Sequence, residues 1–95
     1  MEARGWKGGT YGVSVGKANA AQYFKKTWSR VEIEIDGEFH SFPLRETFWK
    51  TCPEFRGGAL KEWLLRSGLA PWPRGDPPKL ILRPLKENRF RISAP

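Results

Sequence analysis

Proline and glycine interrupt this chain so often that it cannot fold around a long helix. Its 95 residues include eight prolines and ten glycines, residue types that break helices and mark turns. We therefore expect many turns and short elements. Aromatic residues make up 14% of the chain, and each large ring can bury roughly 150–250 Å². This content predicts a compact fold with a modest core.

Two β-hairpins are the clearest elements in the sequence. Val31–Ile35 alternates β-branched residues with glutamates, which predicts a strand with one buried face. Asp36-Gly37 is a pair typical of a tight hairpin turn, and Phe39–Phe42 is the expected return strand. Lys79–Arg83 and Arg89–Ile92 predict a second hairpin near the end of the chain.

Four further segments complete the expected order of elements. Tyr11–Val15 alternates with period two and predicts a strand. Asn19 predicts the start of a short helix, because its side chain can cap free amides. Thr51–Glu54 fits a capping box at the start of another helical segment. Ala59–Ser67 has helical spacing, and Gly68 is the expected end of that helix.

These elements predict an α+β fold. Specifically, we expect a small, mostly antiparallel open β-barrel, or pseudobarrel, with two short helices. Residues 1–10 are rich in glycine and carry Arg4 and Lys7, so they are predicted to form a flexible basic arm. Residues 11–95 are predicted to form a single domain.

Positive charge is unevenly distributed along the chain, whose net charge is +7. Residues 1–30 carry six basic and one acidic side chain, and residues 63–95 carry seven and two. Residues 31–62 between them carry four basic and seven acidic side chains. An acidic middle between two basic ends predicts a molecule with one positive side, and phosphate backbones are the commonest partners of such a surface. The expected partner is nucleic acid.

Residues suited to catalysis or metal binding are scarce. His40 is the only histidine and Cys52 the only cysteine, so a structural zinc site lacks ligands and a nucleophile–base pair would need both residues. Alternating carboxylates at Glu32, Glu34, Asp36 and Glu38 would suit a metal-dependent nuclease, but the solvated face of a half-buried strand is the favoured interpretation. We therefore expect no enzymatic activity, no cofactor and no metal.

The expected location is the cytoplasm or the nucleus. One cysteine cannot form an internal disulfide, whereas small secreted domains usually contain several. The chain also contains no run of apolar residues that resembles a signal peptide or a membrane helix.

Basic, polar and aromatic side chains in two segments are the candidates for nucleic-acid contact. Lys17 precedes the predicted helix start, whose free amides favour an anion. A turn-rich segment supplies guanidinium, ammonium, indole and hydroxyl groups, which can contact phosphates and base edges. Its candidates are Arg45, Trp49, Lys50, Thr51 and Arg56. Arg83, Arg89 and Arg91 project from one face of the predicted last hairpin and are further candidates for contact with a nucleic-acid backbone.

Several short motifs resemble, in order, those of the plant-type B3 DNA-binding domain. They are Val15–Asn19 followed by Tyr23-Phe24, Ile35–Gly37, Phe48–Thr51 and Arg74–Asp76. The resemblance implies a DNA-binding pseudobarrel of about seven strands, in which two arms clasp the major groove of duplex DNA. It also implies that Lys17 and Asn19 belong to the first arm. Trp49, Lys50 and Thr51 would belong to the second.

Three functions stay open on the sequence alone. The first is non-catalytic binding of duplex DNA, in transcription regulation or as a recognition module of a larger protein assembly. The second is binding of single-stranded DNA or RNA, with Trp6, Tyr11 or Trp49 stacking on bases. The third is protein interaction with an acidic partner, for which Trp72 in its proline-rich loop offers a docking site.

Overall fold

Seven strands form one nearly closed, barrel-like sheet. The computed structural model describes all 95 residues. The strands are β1 Glu2–Lys7, β2 Tyr11–Ser14, β3 Arg30–Ile35, β4 Glu38–Pro43, β5 Glu54–Arg56, β6 Lys79–Pro84 and β7 Arg89–Ser93. The helices are α1 Lys17–Tyr23, α2 Glu46–Lys50 and α3 Gly58–Arg66. The strand order is β4-β3-β7-β6-β1-β2-β5, and the edge strands β4 and β5 contact each other.

The sheet is mixed, so the expectation of a mostly antiparallel barrel with two helices is corrected. β3 and β7 run parallel, and Glu32 lies opposite Arg89 while Glu34 lies opposite Arg91. The other neighbouring strands are antiparallel. Hairpin patterns predict local pairs but do not show how one hairpin pairs with another, and a parallel pair joins segments distant in the chain. α2 is the additional helix.

Both predicted hairpins are confirmed. β3 pairs with β4 through the turn at Asp36-Gly37, where φ is 50° for Asp36 and 85° for Gly37. Positive φ at both central residues is what a two-residue turn of this kind requires, and glycine adopts it without strain. β6 pairs with β7 as expected. Side-chain alternation and turn residues were therefore sufficient for these four strands.

The first ten residues are not a flexible arm, so that prediction is wrong. Residues 2–7 form β1, which pairs with β2 on one side and with β6 on the other. Ala3 and Gly5 are buried whereas Glu2 and Arg4 are exposed. A Cβ atom on Gly5 would lie 2.9 Å from both Trp72 and Pro78, closer than side chains approach. This glycine therefore serves close packing rather than flexibility.

Two of the predicted helix starts are also wrong. α1 begins at Lys17 with Gly16 as its N-cap, so Asn19 lies inside the helix. Thr51 ends α2 rather than starting a helix, and Glu54–Arg56 forms β5, which pairs with β2. A capping signal is local and weak, and the sheet contact overrides it. By contrast, α3 matches its predicted span to within one residue at each end, and Gly68 ends it with φ 74°.

The barrel interior contains one cluster of 20 buried apolar residues. Its aromatic members join elements that are distant in the chain. Phe24, directly after α1, stacks on Phe90 of β7 with ring centroids 4.9 Å apart. Phe24 also packs on Phe48 of α2 at 5.1 Å. These contacts fix α1 and α2 over the same part of the sheet.

The strand directions place the connections at two opposite ends of the barrel. We call one the α1–α2 end: it comprises residues 15–29, 44–53 and 85–88, which join the ends of the strands at Ser14, Arg30, Pro43, Glu54 and Pro84. We call the other the α3 end: it comprises residues 8–10, 36–37 and 57–78. Any ligand that contacts the loops and helices must approach one end or the other.

We expect the Phe90→Ala variant to lose about 3–5 kcal/mol of unfolding free energy, because it removes a buried ring and leaves a cavity. Phe90 is 1% exposed. The matched control is Phe39→Ala, whose side chain is 42% exposed and should lose about 1 kcal/mol at most. Urea denaturation of both variants measures the difference. Equal losses would contradict the assigned core.

Candidate nucleic-acid interface

The unbalanced positive charge of the connections lies at the α1–α2 end. The connections there carry six basic and two acidic side chains, a net charge of +4. Those at the α3 end carry three basic and three acidic side chains, so their net charge is zero. The strands contribute the remaining +3. The excess positive charge of the connections therefore lies at one end of the barrel.

A groove between α1 and α2 brings together two of the predicted residues. Lys17 and Trp49 line it, together with Lys26, across a cavity of about 200 Å³. The floor is apolar: Ala20, Ala21, Phe48 and Pro53. Neither lysine has an ion-pair partner. The groove therefore offers two free ammonium groups beside an indole ring, a combination that can hold a phosphate and contact the adjoining sugar or base.

Packing holds the indole of Trp49 in place. The ring is half-buried and meets Phe48 edge to face, with the centroids 4.8 Å apart. Phe48 itself is 1% exposed and belongs to the core. Because one part of the indole is fixed by the core, the exposed part lies at a defined position beside the lysines. Binding a ligand there costs little further side-chain entropy.

α2 supplies the other predicted residues of this end. Arg45 directly precedes the helix, is exposed and has no acidic partner. The Lys50 ammonium lies 2.5 Å from the Glu46 carboxylate, but such an exposed pair contributes only about 0–1 kcal/mol. Lys50 can therefore exchange Glu46 for a phosphate. Thr51 is exposed, and its hydroxyl donates to the Thr47 carbonyl at 3.4 Å.

Asn19 lies at the same end but holds the fold together. Its side-chain amide donates to the Glu2 carbonyl at 2.8 Å and to the Val15 carbonyl at 3.0 Å. Both amide hydrogens are thus used within the protein. The side chain ties α1 to the start of β1, which positions Lys17 but leaves Asn19 no donor for a ligand.

Arg56 does not join the other predicted residues. It is the last residue of β5 and lies toward the α3 end. One of its guanidinium nitrogens, Nη1, lies 3.3 Å from Oε1 of Glu54, a carboxylate that is only 7% exposed. The guanidinium also lies over the Trp6 ring, 5.2 Å from its centroid. Arg56 therefore balances a buried charge, which is a structural role.

The arginines of β7 are largely neutralised by the acidic strand. Arg91 forms a hydrogen-bonded ion pair with Glu34, and Nε of Arg89 lies 3.9 Å from Glu32. The parallel pairing of β3 and β7 produces both contacts. The expectation that these arginines project toward a nucleic-acid backbone is not supported by their geometry. Arg83 on β6 has no ion-pair partner.

Lys26 is the groove residue that sequence reasoning missed. It stands in the charged pair Lys25-Lys26 directly after the Tyr23-Phe24 motif, so a signal was present. The packing of Phe24 on Phe48 of α2 and on Phe90 of β7 brings Lys26, two residues further on, to the groove beside α2. That placement depends on a tertiary contact, which residue spacing does not show.

Cys52 and His40, the two residues that a nucleophile–base pair would need, lie in different parts of the fold. No group of three or more His, Cys, Asp or Glu side chains is placed to hold a metal ion. Cys52 lies at the α1–α2 end, whereas His40 lines a different cavity beside Asp36, Glu38 and Glu62. No helix is long and apolar enough to cross a membrane.

Comparisons with protein-family models, with curated proteins and with solved structures find no match to this chain. The interpretation of the α1–α2 end therefore depends on its own geometry and charge.

We expect Arg56→Ala to destabilise the fold by about 1–3 kcal/mol, because it leaves the buried Glu54 carboxylate without its cation. In the double variant Glu54→Gln/Arg56→Ala no buried charge remains, so at least half of the loss should return. The matched control is Arg45→Ala at an exposed position, which should change stability by about 0.5 kcal/mol or less. Chemical denaturation measures all three. Equal effects of Arg56→Ala and Arg45→Ala would refute the structural role.

Proposed function

We propose that the chain is a non-catalytic nucleic-acid-binding domain that holds duplex DNA at its α1–α2 end. One observation carries the proposal: Lys17 and Lys26, both without acidic partners, flank the half-buried Trp49 in a groove. This groove lies at the end whose connections have a net charge of +4. Arg45 and Lys50 extend the positive surface along α2.

The side chains of the groove favour contacts with phosphates, rather than contacts with base edges, as the main source of affinity. Lysine is a compact cation that meets phosphate oxygens without strict geometry, and such contacts release condensed counterions from DNA. Arg45 and Thr51 can add base-edge contacts at this end. We therefore expect binding that is strong at low salt and modest in sequence preference. No step of the proposal needs a cofactor or a reaction.

Support for the duplex form comes from the resemblance to the plant-type B3 domain. That resemblance assigns Lys17 to one arm and Trp49, Lys50 and Thr51 to another, with the major groove of duplex DNA between them. The barrel-like sheet of seven strands is of the kind the resemblance implies. A role in transcription regulation, in the nucleus or in the cytoplasm, is part of the same proposal.

We expect the double variant Lys17→Gln/Lys26→Gln to bind duplex DNA more weakly and with a shallower salt dependence. Each lost phosphate contact lowers the slope of log affinity against log salt by about 0.9, so the double variant should lose about 2. Fluorescence-anisotropy titrations of a labelled random-sequence duplex at several salt concentrations measure this slope.

Lys61→Gln serves as the matched control. Lys61 is an exposed lysine of α3, at the opposite end, and it has no acidic partner. It removes one positive charge, half the change of the double variant, and should leave the slope unchanged. A loss of slope in Lys61→Gln half as large as that in the double variant would mean that net charge alone governs binding and would refute the site. Failure of the unmodified protein to bind any nucleic acid at moderate salt would favour an acidic protein partner instead.

A further inference from the structure

A second cleft opens at the α3 end, between the end of β1 and the proline-rich loop of residues 71–78. Its volume is about 510 Å³, within the range of roughly 300–1,000 Å³ typical of small-ligand sites. Two indoles and two basic side chains line it. The lining residues are Gly5, Trp6, Lys7, Trp72, Arg74, Gly75 and Pro77, none of them acidic.

Glycines hold the two indoles in their positions. A Cβ atom on Gly8 would lie 2.6 Å from the Trp6 ring, and one on Gly5 would lie 2.9 Å from Trp72. Each ring therefore occupies the space that a side chain at the neighbouring glycine position would fill. Tyr11 packs edge-on against Trp72 with ring centroids 5.1 Å apart. The indoles of Trp6 and Trp72 are both half-buried, so each has a fixed part and an accessible part, as a stacking platform requires.

The cations of the cleft are free to bind an anion. Neither Lys7 nor Arg74 has an ion-pair partner. The Lys7 ammonium lies over the Tyr11 ring, 5.9 Å from its centroid. Arg74 is exposed in a turn closed by the hydrogen bond from the Asp76 amide to the Pro73 carbonyl. The cleft is thus positive at its rim.

The backbone of β1 adds a donor. The Gly5 amide donates to the Pro78 carbonyl at 2.9 Å, and there the pairing of β1 with the β6 side ends. Strand alternation turns the Lys7 amide to that same side, and no backbone carbonyl of a turn or loop accepts from it. Lys7 lines the cleft, so its amide is a donor that a ligand can use.

We propose that this cleft binds a nucleotide unit. The base stacks on the accessible part of Trp6 or Trp72, and the phosphate meets Arg74, Lys7 and the Lys7 amide. Aromatic platforms, guanidinium, ammonium and an amide donor, with no carboxylate among the lining residues, select a ligand that is both aromatic and anionic. A free nucleotide and the terminal nucleotide of a single strand share this chemistry.

The two proposed sites have no residue in common, so this inference stands independently of duplex binding. The groove lies between α1 and α2, whereas the cleft lies at the α3 end. A nucleotide in the cleft would therefore leave the groove open.

Isothermal titration calorimetry with AMP, adenosine and a 5′-phosphorylated pentadeoxyadenylate tests the proposal at ligand concentrations up to about 5 mM. We expect saturable binding of AMP and about tenfold weaker binding of adenosine, because the phosphate contacts are lost. Arg74→Gln should weaken AMP binding by about tenfold and leave adenosine binding unchanged. Gly8→Ala, which displaces the Trp6 ring, should weaken the binding of both ligands.

The ratio of the pentanucleotide affinity to the AMP affinity shows which source supplies the ligand. A ratio of tenfold or more assigns the cleft to the end of a single strand, and equal affinities assign it to a free nucleotide.

Two variants serve as controls. Lys61→Gln removes a free cation of the same end outside the cleft and should leave AMP binding unchanged, and so should Lys17→Gln/Lys26→Gln in the groove. The proposal is overturned if neither AMP nor the pentanucleotide binds saturably. It is also overturned if Arg74→Gln and Gly8→Ala bind AMP as the unmodified protein does. If the unmodified protein binds AMP but not duplex DNA, the duplex-binding proposal for the groove is refuted and the nucleotide proposal for the cleft stands.

Discussion

The parallel pairing of β3 with β7 is the contact on which the rest of the structure depends. It joins the acidic hairpin to the last hairpin and so brings the sheet nearly round on itself. It also decides where charge remains. Glu32 and Glu34 lie opposite Arg89 and Arg91, so charges of opposite sign largely cancel on that face of the barrel. The excess of lysine and arginine that the connections contribute is then found at the α1–α2 end, and the proposed interface follows from the register of the sheet.

Aromatic packing fixes what that end presents. Phe24 lies between Phe90 of the sheet and Phe48 of α2, so the chain after α1 is tied to both. Lys26, two residues further on, is brought beside Trp49, and Asn19 secures α1 through the Glu2 carbonyl. The groove is thus a by-product of core packing rather than a flexible loop. A preformed groove loses less conformational entropy on binding, which suits recognition by a small domain.

The sequence was sufficient to predict the elements that local residue patterns define. It was insufficient for the elements that form only through contact with a distant part of the chain. Side-chain alternation and Asp36-Gly37 determined the β3–β4 hairpin, and helical spacing with Gly68 determined α3. β1 was missed because Gly5, Gly8 and Gly9 suggest flexibility, whereas in the fold Trp72 occupies the space beside Gly5 and Trp6 the space beside Gly8. Within the site, Lys17 and Trp49 were predicted and lie together. Arg56 was assigned to the same surface, yet Glu54 holds it elsewhere; a buried carboxylate cannot be recognised from residue type alone.

Chain topology explains why one small barrel can carry two sites of different character. At the α1–α2 end Lys17 and Lys26 lie beside the indole of Trp49, which suits a long polyanion. At the α3 end β1 extends past the residues that pair with β6, because the prolines of residues 71–78 have no N–H group to donate to it. The strand edge, the two indoles and the free cations are left together in an open cleft. Both sites offer cations without ion-pair partners, so the two indoles of the cleft are the feature that makes a single nucleotide its expected ligand.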